Sequence, residues 1–223
     1  VPAPQPDLSL TAYNLVLRLD PARFRFRIFY DAGQPRTIEE WQEFTGAAIV
    51  VNGGFFSETN EPVGRLVIDG QEYGETFNTQ RRIGVAGLLT LGDGQEIALY
   101  TLPRRSASAS PISSPLALES YPMLLSAGGQ PNYHYNNVNQ RARRTAIGLD
   151  RAGNVLIVIA NEPVYSLYEF AHWLATPSLD LDKALNLDGG RSTGLALNLG
   201  DRRLSYPAYV RLPVVLAIYP AGG

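Results

Sequence analysis

No cysteine occurs anywhere in the 223 residues, which removes thiol catalysis, disulfide staples and cysteine-based metal sites together. The same absence leaves the compartment open, because exported bacterial proteins often lack the residue too. Charge of one sign is also missing. Nineteen basic and 21 acidic side chains give a formal net charge of −2, so no global field draws the chain to nucleic acid or an anionic membrane. No apolar run approaches the roughly 20 residues of a membrane span. Only two histidines are present: His134 in a loop rich in Tyr and Asn, and His172 on a predicted helix. Neither has the Glu or Asp spacing of a zinc motif. Asp188 has the chemistry to ligate a divalent cation, but no oxygen-rich loop of recognisable spacing supports one, and no cofactor is expected. Internal repeats, a nucleophile elbow, a phosphate-cradling P-loop and a dinucleotide fingerprint are missing as well.

What is present describes a folded protein. Hydrophobic residues make up 45% and charged residues 18%, and the length suits one well-packed domain spanning 1–223. Residues 1–8 read as a flexible N-terminal segment, Pro-rich at its start. With Val1 in place of Met, the expectation is a mature or trimmed chain whose export signal has been removed, and hence an extracytoplasmic location.

Period-two alternation predicts half-buried antiparallel strands at 13–19 and 23–30, joined through Asp20-Pro21. In the second, Arg23, Arg25 and Arg27 form a solvated face opposite Phe24, Phe26 and Ile28. Thr37 with Glu40, and Ser166 with Glu169, are capping boxes that open two short helices; Gly46 ends the first. Residues 47–51 are apolar throughout, as in a strand buried on both faces. Further strands are expected at 66–68, 82–86, 88–91, 97–100, 184–187, 195–199 and 213–219, and a hairpin at 145–149 with 155–160. A tight turn is expected at 92–94, and 103–115 reads as a loop or flap. Many strands and few helices in mixed order give an α+β fold with largely antiparallel sheets.

Two places share a design: a buried strand ends in a polar residue followed by two glycines. These are Val51-Asn52-Gly53-Gly54 and Leu187-Asp188-Gly189-Gly190. Glycine there permits positive φ and close approach of backbone to a ligand, and exposed amides bind anionic oxygen. Asn-Gly and Asp-Gly are also ordinary turn dipeptides, so the pair carries more weight than either alone. Arg144 stands at the entrance of a predicted buried strand, where a fixed guanidinium suits an anionic substrate. Arg191, directly after the second turn, is a second phosphate contact. Arg141 and Arg143 read as solvated. His134 lines a sugar pocket with Tyr133 and Tyr135 in this reading.

With these residues in place, the sequence resembles the phosphodiester glycosidase family over roughly residues 45–220. The matching pieces are Asn52-Gly53-Gly54-Phe55-Phe56, Gly64 with 66–70, 122–128, Arg144-Thr145-Ala146-Ile147-Gly148, and the helix around Glu169. Asn186-Leu187-Asp188-Gly189-Gly190, Tyr206-Pro207 and the closing strand complete the set. Arg191 departs from the small residue usual in the family, and the cysteine-stapled extensions of its animal member are missing.

The resemblance implies hydrolysis of a sugar-1-phosphodiester at the anomeric C–O bond, on a cell-envelope or extracellular glycan. It assigns Asp188 as the leading carboxylate, with Glu58 or Glu162 as a second. Asn52, Gly53, Gly54, Phe55, Arg144, Thr145, Gly189, Gly190, Arg191, Ser192 and His134 become substrate contacts. Asn52, Arg144 and Asp188 must then meet in one cleft. Two other readings are a non-catalytic carbohydrate-binding module on the same fold and a phosphodiesterase cutting P–O.

Overall fold

The computed structural model describes residues 4–77, 84–92, 96–103, 112–135 and 138–221. In chain order its elements begin with β1 (Asp7–Leu10), β2 (Asn14–Leu19), β3 (Phe24–Tyr30), α1 (Ile38–Thr45), β4 (Ile49–Asn52), β5 (Leu66–Ile68) and β6 (Gln71–Tyr73). Next come β7 (Gly87–Leu91), β8 (Ile97–Thr101), β9 (Leu116–Ser120), β10 (Met123–Ser126), β11 (Gln130–Pro131) and β12 (Ala142–Asp150). The last are β13 (Val155–Tyr165), α2 (Leu167–Leu174), β14 (Leu181–Asn186), β15 (Leu195–Leu199), β16 (Arg202–Tyr206) and β17 (Val214–Pro220).

These strands form three sheets, ordered β1-β2-β13-β12-β14-β10-β11, β16-β15-β4-β17-β3 and β6-β5-β9-β7-β8. Pairing is antiparallel in each of them. The described part is thus mostly antiparallel β with two α-helices, a strand-rich version of the expected α+β class.

Alternation within single strands explains the layering. In β13, Val155, Ile157 and Ile159 enter a core shared by all three sheets, while Leu156, Val158 and Ala160 pack toward α2. In β4, Ile49 and Val51 enter the shared core and Val50 meets Trp41 of α1. The runs 49–51 and 155–160 are therefore apolar throughout because both faces of these strands are covered there. Each helix begins at the expected capping box, and Gly46 closes α1 in the left-handed region at φ 65°. Trp41, 1% exposed, buries its ring and donates its indole N–H to the Leu212 carbonyl at 2.7 Å. α2 lays Phe170, Ala171 and Leu174 on the outer face of the seven-stranded sheet.

Several local expectations change. β2 and β3 do not pair: β2 lies between β1 and β13, and β3 pairs with β17 in another sheet. Asp20-Pro21 is a corner between sheets and not a hairpin turn. Of the strand expected at 82–86, residues 84–86 are described and are not strand. Gly92 is described, but the rest of the 92–94 turn and most of the 103–115 loop lie outside the described residues. β9, β10 and β16 were not anticipated. Arg143 is 5% exposed, against the expectation of a solvated side chain, because it reaches under the segment 207–209.

Candidate active site

The two glycine turns meet. β4 ends in one sheet and β14 in another, and the Asp188 N–H donates to the Gly53 carbonyl at 3.1 Å across the junction. Asn52 fastens it. Its amide nitrogen donates to the carbonyls of Asp188 at 2.7 Å and Gly53 at 3.3 Å. Its oxygen accepts from the Thr145 hydroxyl at 2.8 Å and the Gly194 N–H at 3.2 Å. Asn52 and Thr145 are both fully buried. With their polar atoms used internally, they hold the site together and do not face a substrate.

The glycines differ in what they permit. Gly53 does not adopt positive φ; its N–H is donated to the Val214 carbonyl at 3.0 Å, so it offers no amide to a ligand. A Cβ there would stand 2.5 Å from the Val214 side chain, so glycine is required by the closeness of β17. Gly54 is buried against Leu118. In the second turn Gly190 is the left-handed residue, at φ 60°. Gly189 is extended, and its Cβ would meet the Arg143 carbonyl at 3.0 Å.

Asp188 is partly exposed at the tip of this turn. Burial pushes its carboxyl up from the usual 3.8 to about 6, and the Ser192 hydroxyl and the Gly189 N–H oppose that shift. The Gly189 bond is 2.8 Å long. Ser192, 6% exposed, acts through Asp188. The Leu187 N–H donates to the Thr145 carbonyl at 2.9 Å, one step past the end of β14. Continuing that antiparallel register sets Arg144 opposite Asp188.

Arg144 keeps its guanidinium in place through two carbonyls, Tyr165 at 3.2 Å from Nε and Gln140 at 2.6 Å from an Nη. Its other Nη comes within 3.9 Å of where a Gly189 Cβ would be. Burial lowers its pKa, with the Tyr133 hydroxyl acting in the opposite direction; an arginine nevertheless keeps its charge. Asn186, on the same face, is 3% exposed, and its side-chain oxygen has no hydrogen-bond partner.

Among the described residues, Arg18, Arg27, Arg36, Arg65, Arg141, Arg151 and Arg211 each pair with a carboxylate. Arg143, Arg144 and Arg191 do not, nor do Arg23, Arg202 and Arg203. Arg143 spends its Nη donors on the Pro207 carbonyl and on Asn161 Oδ1 at 2.6 Å, and its buried Nε has no partner. Cations held by neutral acceptors keep their field for an incoming anion.

Among the described residues no hydrogen bond or ion pair ties the remaining predicted residues to the Asp188 carboxylate. Glu58 lies exposed in the loop after the first turn, and no ion pair or hydrogen bond joins it to Asp188 or Arg144. Glu162 is exposed where β13 bulges, and its charge acts on Arg143. His134 is exposed beside the buried Tyr133. Phe55 is half-buried, edge-on to Phe77 at 6.1 Å. It borders a small, solvent-open crevice that also touches Glu119 but contains neither Asp188 nor Arg144. Glu119, 2% exposed, accepts from the Thr76 hydroxyl and the Phe77 N–H. A lone acid in the apolar run 116–120 was the available sequence signal for it. No cluster of three or more His, Cys, Asp or Glu side chains suited to a metal occurs among the described residues.

The site is thus a partly buried carboxylate at the meeting of two glycine turns on packed antiparallel sheets, opposite an arginine on the neighbouring strand. The chain belongs to the phosphodiester glycosidase family, whose model matches residues 45–219. Among the solved structures that share the fold are three. A Synechocystis protein superposes with a TM-score of 0.60 at 17% identity, covering 96% of this chain and 61% of that one. The zebrafish N-acetylglucosamine-1-phosphodiester α-N-acetylglucosaminidase catalytic domain, auto-inhibited by its pro-peptide, gives 0.66 at 16% identity, covering 92% and 76%. A Burkholderia pseudomallei protein considered exported gives 0.58 at 14% identity, covering 93% and 74%. This chain thus spans less than two thirds of the Synechocystis protein. Among curated protein sequences, none matches it. No described helix is long and apolar enough to cross a membrane.

Proposed function

We propose that this protein hydrolyses a sugar-1-phosphodiester at the anomeric C–O bond, acting on a glycan outside the cytoplasm. The observation that carries the reading is the partly buried Asp188 at the meeting of the two glycine turns, with Arg144, held by two neutral carbonyls, opposite it on the neighbouring strand. Family membership supports glycosidase chemistry, and the exported Burkholderia relative supports the location.

In this mechanism Asp188, ionised above about pH 6, takes a proton from water as the water oxygen bonds to the anomeric carbon. The C–O bond to phosphate breaks, and its electron pair leaves on the phosphate oxygen. A phosphate monoester carries that charge readily, so the step needs no strong general acid. Arg144 receives the phosphate, held at fixed geometry before the substrate arrives. Asn52, Thr145 and Ser192 are positioning residues. Glu58 and Glu162 are not required, because Asp188 alone activates the water.

The test is a panel of N-acetylglucosamine and glucose 1-phosphodiesters run in ¹⁸O-labelled water. Free sugar carrying the label is expected. Label on the phosphate would mean P–O cleavage, and saturable binding without turnover would make the protein a carbohydrate-binding module.

A further inference from the structure

The bulge where β13 runs past β12 carries acceptors for two arginines. Ala142 pairs with Tyr165 and Arg144 with Ala160, so residues 161–164 of β13 stand against Arg143 alone. A stretch looped out in this way lacks the regular ladder bonds that would place it. Yet the Asn161 side-chain oxygen accepts from Arg143 at 2.6 Å, and the Tyr165 carbonyl accepts from Arg144 Nε at 3.2 Å.

Both ends of the bulge are tied to the start of β2. The Asn161 N–H donates to the Tyr13 carbonyl at 3.2 Å, and the Asn14 amide nitrogen donates to the Tyr165 hydroxyl at 3.0 Å. Asn14 is itself fixed by a tight turn. Its N–H donates to the Thr11 hydroxyl at 3.1 Å, and its carbonyl accepts from the Thr11 N–H at 2.9 Å. The residue is 3% exposed, and its side-chain oxygen has no partner among the described residues. A buried amide with an unused oxygen costs stability. Val16, two positions on and therefore on the same face, packs toward α2, so an apolar side chain would suit position 14. What the amide adds is its bond to Tyr165. The Tyr165 ring packs in turn on Phe170 and Trp173 of α2, with centroids 5.8 and 6.1 Å away. Held at its ring by α2 and at its hydroxyl by β2, Tyr165 presents its carbonyl to Arg144 at a fixed place.

We propose that Asn14 is a positioning residue for Arg144, acting through the Tyr165 hydroxyl, so that a strand far upstream of both glycine turns completes the site. The inference rests on the reading in which Arg144 receives the phosphate. It adds to that reading a requirement on residues before the family segment 45–219. Neither Asn14 nor the Tyr165 hydroxyl touches the substrate. Cutting their bond frees the end of the bulge, and the guanidinium anchored there loses the preorganisation that makes a cation effective.

Asn14→Leu, Tyr165→Phe and the double variant, each in the full chain, test this. The double variant leaves no polar atom of the pair stranded and should melt close to the wild type. Tyr165→Phe, which removes a single oxygen, carries the test alone should the others fail to fold. The readout is kcat/KM for the methyl diester of N-acetylglucosamine 1-phosphate against that for a neutral aryl glycoside of the same sugar. Each single variant should lose about tenfold on the phosphodiester and less than about twofold on the glycoside. The double variant should lose no more than either single one. Equal losses on both substrates, an undiminished phosphodiester rate, or single losses that multiply in the double variant overturn the inference. If the wild type cleaves neither substrate, the glycosidase reading is what fails. Wherever the wild type leaves a substrate intact, calorimetry with inorganic phosphate decides the inference separately. A Kd weaker by about tenfold in Tyr165→Phe sustains it; equal affinities, or a wild type that binds no phosphate, end it.

Discussion

Asp188 carries two demands that pull its proton in opposite directions. Burial favours the neutral acid, while the Ser192 hydroxyl and Gly189 N–H favour the anion, and burial wins. Its pKa near 6 suits a base that must be ionised at neutral pH yet still accept a proton. Activity should therefore rise with pH along a limb centred near 6, and Asp188→Asn should lower kcat/KM by about a hundredfold or more. A pH-rate profile with that limb intact in the variant would remove Asp188 from the chemistry. Stability gives an independent check. Between the usual 3.8 and about 6 the folded chain holds a proton that the unfolded chain has released. Asp188 therefore favours folding at low pH, and this contribution is lost as pH climbs through the window. Asp188→Asn has no such loss, so its melting temperature should gain on the wild type between pH 4 and pH 7.

At the scale of elements, the site is a junction, and the sequence revealed its parts better than their division of labour. Two buried strands ending in polar-Gly-Gly were legible because fully apolar runs with a polar tip are rare in half-solvated sheets. What stayed hidden was which groups face outward. Asn52 and Asp188 occupy matching places in matching motifs, yet one is sealed in and the other partly exposed. The difference arises from a contact between sheets, which no local pattern encodes. Arg143 and Arg144 were separable only once the strand's two faces had partners. The starts of the two helices, in contrast, were readable to the residue, since a capping box is a local bond. That cap also has a functional consequence. Ser166 follows Tyr165, whose carbonyl anchors Arg144, so the start of α2 sets where the guanidinium sits. Ser166→Ala should cost about 1 kcal/mol, lowering the melting temperature by about 2–4 °C. It should also reduce kcat/KM on a phosphodiester more than on a neutral aryl glycoside of the same sugar. Equal reductions on both would mean that the cap matters to the fold alone.

For the whole molecule, the small net charge conceals an uneven distribution. The formal total is −2, and a phosphodiester approaching from far away meets, if anything, weak repulsion. Close to the Asp188 turn the balance reverses. Arg143, Arg144 and Arg191 are held by carbonyls, an amide oxygen and an aromatic ring, while seven other arginines are paired with acids elsewhere. Glu162 near Arg143 and Asp188 itself subtract from this local excess without cancelling three cations. Such a field reaches about a Debye length, roughly 10 Å at 0.1 M salt, and focuses most strongly where low-dielectric walls surround it. Raising NaCl from about 20 mM to about 300 mM, where that length shrinks severalfold, should lower kcat/KM for a sugar-1-phosphodiester several-fold. A neutral aryl glycoside of the same sugar should show little change. Arg144→Ala should flatten the salt dependence for the phosphodiester, because it removes the cation nearest the leaving phosphate. A wild-type rate indifferent to salt, or a slope that persists in Arg144→Ala, would show that the arginines hold the turns in shape and do not read the substrate's charge.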